Sequence, residues 1–147
     1  VNAQWTDADS LYGSRHLAAK WAADGTLKRI KALLLTDMLG DKDLNIDRDG
    51  YSTPWLLDLV KKAADSEGYG KYFFAKNNTI EDDHKPFAKR GVPCADLVDI
   101  DYGPASDPGG PGTFHHTSKD TLDKLSAKSL TIAGSTLLET IRLLDQR

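Results

Sequence analysis

The sequence predicts an α/β fold with a largely parallel sheet, on two observations. Two short apolar runs, at 30–36 and 92–100, lack the polar alternation of half-exposed strands and are typical of strands buried on both faces. Segments with helical spacing of apolar residues alternate with these runs, at 10–23, 53–66 and 121–145. Helices that alternate with buried strands favour a parallel sheet covered by helices. The whole chain, 1–147, fits a single domain.

The helix boundaries carry recognisable end signals. Asp9 or Ser10 can cap the first helix, and Asp24-Gly25 ends it. Thr53 is the predicted N-cap of the second helix, with Pro54 at its first position. In the third helix, Gly134 is expected to mark close packing, since glycine there costs about 1 kcal/mol relative to alanine. The predicted buried stripe of that helix is Leu130, Ala133, Leu137, Ile141 and Leu144.

The connecting segments are polar and rich in turn-forming residues. Residues 71–74 predict a short strand, and residues 41–52 an acidic loop or hairpin. A short helix is predicted at 86–89. The glycine- and proline-rich segment 103–113 predicts a surface loop, whose length favours a functional role.

Composition excludes several classes of function. The formal net charge of -3 provides no basic surface for nucleic acid, and no apolar run approaches the roughly 18 residues of a membrane helix. The single cysteine, Cys94, excludes an internal disulfide and a cysteine-based zinc site, and its apolar surroundings predict a core residue. Because the sequence begins at Val1 without a signal peptide, we expect a processed or partial chain.

Carboxylates follow both predicted buried strands. Asp37 comes directly after the first strand, and Asp99 and Asp101 lie near the end of the second. Because ligand sites in parallel sheets form beyond the carboxyl ends of strands, these positions are candidate site residues. A carboxylate at the end of an apolar strand needs a metal, a cation or backbone N–H groups. The alternative for Asp37 is an ordinary surface aspartate.

Two further polar clusters are candidates for chemistry. His115 and His116 follow the glycine-rich loop, where an imidazole can bind zinc or lie at a solvated helix cap. The run from Glu81 to His84 is dense in carboxylates, which a cation, an amino-group substrate or hydrogen bonds would stabilise; the alternative is an exposed turn.

The acidic run 43–50 has a superficial likeness to a calcium-binding loop. Taking Asn45 as the first ligand places Gly50 correctly at the sixth position. The twelfth position, where the calcium loop has a bidentate glutamate, is Leu56. The run therefore favours a solvated acidic turn.

Four ordered motifs resemble a known family. They are DSLYGSRHLAAKW at 9–21, LLLTDMLG at 33–40, IEDDHKPFAKRGVP at 80–93 and FHHTSKDTLDKLS at 114–126. Together they resemble the C-terminal half of the zinc aminopeptidase and glutaminyl-peptide cyclotransferase family. The resemblance implies part of a three-layer α/β/α fold with a mostly parallel sheet, from which the N-terminal strands are absent. Relatives are often secreted or periplasmic, which is the only indication of localisation.

The resemblance also implies roles for individual residues. His116 matches a histidine zinc ligand of the family. Asp37 matches an aspartate that binds a second zinc in two-metal aminopeptidases and is a hydrogen-bonding carboxylate in single-zinc cyclotransferases. Asp82, with the neighbouring Glu81, matches the position of a catalytic aspartate of the cyclases. Trp5 matches a tryptophan that lines the cyclase substrate pocket. His115 directly precedes the ligand histidine, and the resemblance implies that it also contacts the substrate.

Two departures from the cyclase pattern concern the substrate pocket. His115 replaces a tryptophan of the animal cyclases, and Asp96 replaces a histidine.

The family's remaining zinc ligands and its general-base glutamate would lie before Val1. We therefore expect a fragment of a zinc enzyme acting on peptide N-termini, which has negligible activity and weak zinc affinity alone. The missing half could also exist as a separate chain that pairs with this one. The alternative is a non-catalytic α/β module that self-associates or binds a partner.

Overall fold

The computed structural model describes residues 9–104 and 111–147. The elements follow the chain as α1 (Tyr12–Ala23), β1 (Leu33–Asp37), β2 (Ile46–Asp49), α2 (Pro54–Ser66), β3 (Phe73–Asn78), α3 (Lys85–Ala88), β4 (Cys94–Val98) and α4 (Ala127–Asp145). The predicted α/β class and the three long helices are confirmed. None of these helices is both long enough and apolar enough to cross a membrane.

The strands form two parallel pairs. β1 pairs with β4, and Leu33 stands opposite Cys94 at the start of the ladder. β2 pairs with β3, and β2 also contacts β4, which brings the two pairs together. The predicted acidic loop or hairpin at 41–52 is therefore wrong in part, because residues 46–49 form a strand whose partner is parallel. A hairpin would require antiparallel neighbours.

Helices cover the β1–β4 pair on both sides. Ala95 and Leu97 of β4 pack into the larger apolar cluster, which includes residues of α2 and α4. Cys94 points to the other side and packs with Ala18 of α1 and Phe87 of α3. Because side chains alternate along a strand, Asp96 lies on the same side as Cys94. The result is the three-layer α/β/α arrangement that the resemblance implied.

The start of α4 and its buried face differ from the prediction. The helix begins at Ala127, where the Ser126 hydroxyl accepts the N–H of Ser129 over 3.2 Å. Leu130 is 50% exposed and Ile141 is 43% exposed, so these two members of the predicted stripe are not buried. The buried residues are Ser129, Ile132, Ala133, Thr136, Thr140 and Leu144. Apolar periodicity alone missed this face because it is partly lined by small hydroxyl side chains.

Candidate active site at the carboxyl edge of the sheet

Asp37 lies at the carboxyl edge of the β1–β4 pair. It is the last residue of β1 and stands opposite Val98, the last residue of β4. The N–H of Met38 donates to Asp37 Oδ1 over 2.9 Å, and Met38 has a left-handed φ of 53°, so the chain turns away from the strand here. The carboxylate of Asp37 is left exposed at the edge.

A cavity of about 530 Å³ opens beside Asp37. Its wall combines the start of α1, the turn after β1, the segment before α3 and the segment before α4. Of the six residues to which the resemblance assigns a role, the structure brings five together in this wall: Asp37, Glu81, Asp82, His115 and His116. Trp5 lies outside the described residues. Three separate stretches of sequence thus converge on one cavity.

The two adjacent histidines stack on each other. Their ring centroids lie 3.8 Å apart with an interplanar angle of 21°, and His116 has a left-handed φ of 54°. His116 is exposed and His115 is half-buried. Burial and the neighbouring His116 ring lower the pKa of His115, while the Asp37 carboxylate acts in the opposite direction. His115 therefore favours the neutral imidazole, and His116 presents its ring to the cavity and solvent.

Asp82 and Glu81 differ in their surroundings. Asp82 is half-buried, and its Oδ1 accepts the N–H of Asp83 over 2.6 Å. Burial raises the pKa of Asp82, and the carboxylates of Asp37 and Asp83 add to that shift. Glu81 is exposed and forms an ion pair with Lys85. The surroundings of Asp82 therefore favour its protonated form relative to a free aspartate.

The two aspartates near the end of β4 have structural partners instead. Asp99 is fully buried and accepts the backbone N–H groups of Asn45 and Asp101, at 2.7 and 3.1 Å. Asp101 forms an ion pair with Lys76. Neither residue lines the cavity beside Asp37.

A buried polar cluster beneath the cavity escaped the sequence analysis as a unit. His84 lies between Asp49 and Asp96, and all three side chains are fully buried. An aspartate in the middle of an apolar strand was the available signal, since a buried carboxylate requires a partner. The sequence could not identify that partner, because Asp49 and His84 are distant from Asp96 in the chain.

The described residues offer only part of a metal site at the cavity. Asp37 and His116 supply one carboxylate and one imidazole, both donors that zinc accepts. Within residues 9–104 and 111–147, the one group of three closely spaced metal-type donors is Asp49, His84 and Asp96, which includes neither Asp37 nor His116. A catalytic zinc takes about three protein ligands. The donor types at the cavity fit zinc, but their number is short of a complete site.

The fold and the cavity define an α/β domain whose reactive side chains gather beyond the carboxyl ends of parallel strands. The sequence of residues 5–141 matches Peptidase family M28. The chain belongs to this family.

Individual relatives agree with this assignment. The structure of a glutaminyl cyclase from an Acidobacteriales bacterium is 62% identical, with a TM-score of 0.93 over 99% of this chain and 49% of that chain. A Zn-dependent exopeptidase from Parabacteroides distasonis is 27% identical, with a TM-score of 0.76 over 94% of this chain and 47% of that chain. A glutaminyl-peptide cyclotransferase of Drosophila melanogaster is 34% identical in an alignment of 119 positions that covers 67% of this chain and 34% of that protein. The chain thus spans about half or less of each relative.

Proposed function

We propose that this chain is the C-terminal portion, residues 1–147, of the catalytic domain of a zinc-dependent enzyme acting on peptide N-termini. One observation carries the proposal: Asp37, Asp82 and His116, from three distant segments, line one cavity at the carboxyl edge of a parallel sheet. Such edges are where enzymes with this class of sheet bind ligands. The remaining zinc ligands and the general base would come from a part of the enzyme outside this chain.

Each cavity residue has a proposed task. His116 binds zinc through its exposed imidazole, and Asp37 either binds a second zinc or accepts a hydrogen bond beside a single one. A bound zinc would polarise the carbonyl group that is attacked. Asp82, whose pKa burial raises, holds or accepts a proton at the substrate amine, with Glu81 beside it. His115 contacts the substrate, and the family resemblance assigns the same role to Trp5.

Cyclisation of an N-terminal glutamine is the favoured reaction. The support is the 62% identity to the Acidobacteriales glutaminyl cyclase, a much closer relationship than the 27% identity to the Zn-dependent exopeptidase. In a cyclotransfer the substrate's own α-amine attacks its γ-amide carbonyl and ammonia leaves. In an aminopeptidase, water attacks the first peptide carbonyl instead. Aminopeptidase activity is therefore the second candidate.

The chain alone is expected to be inactive and to bind zinc weakly, because two donors do not complete a site. The test is a chimaera in which this chain replaces the corresponding half of the Acidobacteriales glutaminyl cyclase. The chimaera should release ammonia from glutaminyl peptides, while the 147-residue chain should not. An inactive chimaera that folds and binds zinc would contradict the proposal. Calorimetry tests whether the zinc site is incomplete in the chain alone. Tight, stoichiometric zinc binding by the 147-residue chain would contradict that expectation.

A non-catalytic, self-associating module is the alternative, and two observations favour it. Large apolar side chains are exposed on α4, where Leu138 is 70% and Leu130 is 50% exposed. Among the described residues, β1 pairs with β4 alone, so its other edge is unpaired. Exposed apolar patches and strand edges are typical of interfaces. Light scattering after size-exclusion chromatography tests this alternative, and a monomer would count against it.

A further inference from the structure

The imidazole of His84 is enclosed between two carboxyl groups from different strands. Its Nε2 lies 3.3 Å from Oδ2 of Asp49 in β2, and its Nδ1 lies 3.4 Å from Oδ2 of Asp96 in β4. All three side chains have no solvent exposure. These two contacts have the distances of ion pairs and not the geometry of hydrogen bonds, and within the described parts of the chain neither ring nitrogen and neither Asp96 carboxyl oxygen has a hydrogen-bond partner. Each ring nitrogen therefore has one carboxyl group as its charged neighbour.

One donor atom from each of Asp49, His84 and Asp96 lies within 4.8 Å of the other two, so the cluster has the donor types of a metal site. An imidazole binds a metal through one nitrogen only. Here each carboxyl group is placed beside a different nitrogen of the ring. Only a doubly protonated imidazole can donate from both nitrogens, because the neutral ring keeps one bare acceptor nitrogen. The arrangement matches an imidazolium, whose burial is tolerated because it is paired on both sides.

We propose that His84 is a buried imidazolium that fixes the segment from Ile80 to His84 and thereby positions Asp82 in the active site. The catalytic part of this inference rests on the proposed function, but the protonation of His84 does not.

The segment is held at both of its ends by the same cluster. Asp49 Oδ1 accepts the N–H of Ile80 over 3.0 Å, at the start of the segment. The ring of His84, at its end, lies between Asp49 and Asp96. Asp82 lies between these two anchors, and its carbonyl oxygen accepts the N–H of Lys85 over 2.9 Å. Loss of the His84 anchor would release one end of the segment.

Ser52 connects the carboxyl group of Asp49 to the backbone of Asp96. Its hydroxyl donates to Asp49 Oδ2 over 2.7 Å and accepts the backbone N–H of Asp96 over 2.9 Å. β2 and β4 are thus linked both through Ser52 and through His84. The cluster therefore stabilises the packing of β2 against β4 and also holds the segment that carries Asp82.

The charges that face His84 favour its cationic form. They come from Asp49 on β2, Asp96 on β4 and Asp82 in its own segment. Burial works against protonation, but the contact with Asp49 and the charges of Asp96 and Asp82 together raise the pKa of His84. Burial raises the pKa of Asp96 to about 7, so below that pH the main negative charge beside His84 is the carboxylate of Asp49, whose pKa is lowered. The thiol of Cys94, which lies 3.6 Å from the carbonyl oxygen of His84, stays neutral because burial raises its pKa to about 12.

The first test measures the ring of His84 by nitrogen NMR in the 147-residue chain, with His84→Gln used to identify its signals. Both ring nitrogens should carry protons at pH 7. Asp96→Asn keeps the shape but removes a negative charge, so the His84 titration midpoint should fall by about one to three pH units. A bare ring nitrogen in the unsubstituted chain at pH 7, or an unchanged midpoint in Asp96→Asn, would overturn the inference.

The second test uses the active chimaera. If His84 positions Asp82, the alkaline limb of the kcat profile should move to lower pH in Asp96→Asn, by the same interval as the NMR midpoint. A fixed alkaline limb with a shifted NMR midpoint would refute the positioning role. The two proposals fail separately: an inactive chimaera with a protonated His84 contradicts the proposed function and leaves the imidazolium in place.

Discussion

Asp99 Oδ2 accepts a hydrogen bond from the backbone N–H of Asn45 over 2.7 Å, although the two residues are 54 positions apart. The bond joins the end of β4 to the loop that leads into β2. Because Asp99 is fully buried, its protonation state is coupled to folding.

The stability of the chain should therefore fall with rising pH. Burial raises the pKa of Asp99 to about 7, and the carboxylate of Asp41 acts in the same direction. The pKa of an unfolded aspartate is about 3.9, so ionisation favours the unfolded state. The contribution is fully present below about pH 4 and is lost as pH rises to about 7. Urea unfolding of the chain and of Asp99→Asn should show the stability advantage of the native chain shrinking from pH 5 to 8. An advantage that grows with pH would contradict this assignment.

Removal of the His116 imidazole should abolish catalysis by the chimaera. His116→Ala deletes one of about three zinc ligands. We expect a loss of at least about 100-fold in zinc affinity and in kcat/KM, more than is usual when a residue that only hydrogen-bonds a metal ligand is removed. The measurements are zinc calorimetry and ammonia release. The matched control is His16→Ala, an exposed histidine on α1. Equal losses in both variants would argue against a specific role for His116.

Neutralising Asp82 should slow the chemical step more than substrate binding. Asp82→Asn removes a proton-transfer group, which typically contributes about 10²–10⁴-fold to rate. Steady-state kinetics of the chimaera should show the loss mainly in kcat. Asp43→Asn, at an exposed aspartate of the acidic turn, should leave kcat unchanged. A change confined to KM would assign Asp82 to binding alone.

Two large apolar residues of α4 should respond differently to truncation in the isolated chain. Ile132 is 2% exposed, so Ile132→Ala should lower the free energy of unfolding by about 2–5 kcal/mol. Leu138 is 70% exposed, so Leu138→Ala should change it by less than about 0.5 kcal/mol. Chemical denaturation measures both. A large loss in Leu138→Ala would show that the exposed face is covered, as in a self-associated form.

Gly134 should tolerate alanine. It lies inside α4, and an added Cβ would meet nothing within 4 Å. The expectation that this glycine marks close packing is therefore wrong for the described chain. Gly134→Ala should raise the free energy of unfolding by up to about 1 kcal/mol, since alanine restricts the unfolded chain and favours helix. A destabilised variant would indicate that a partner packs against this position.

The local signals of the chain identified most of its elements. Pro54 and the apolar spacing that follows it predict α2 at its observed bounds, since helix starts and amphipathic periodicity are properties of adjacent residues. The strand within the acidic stretch before α2 is not predictable from its own residues. Ile46–Asp49 forms a strand because Asp49 is stabilised by Ser52, His84 and the N–H of Ile80. No pattern within that stretch reveals these partners.

The α/β class, the family and the position of Asp37 at a strand end are predictable from the sequence, because strand ends and ordered motifs are local features. The shared cavity of Asp37, Asp82 and His116, and the place of His84 between Asp49 and Asp96, arise only in the folded chain. Those relationships depend on the parallel register of β1 with β4 and on the packing of β2 beside β4. Residues far apart in the chain meet there through contacts that no single segment encodes.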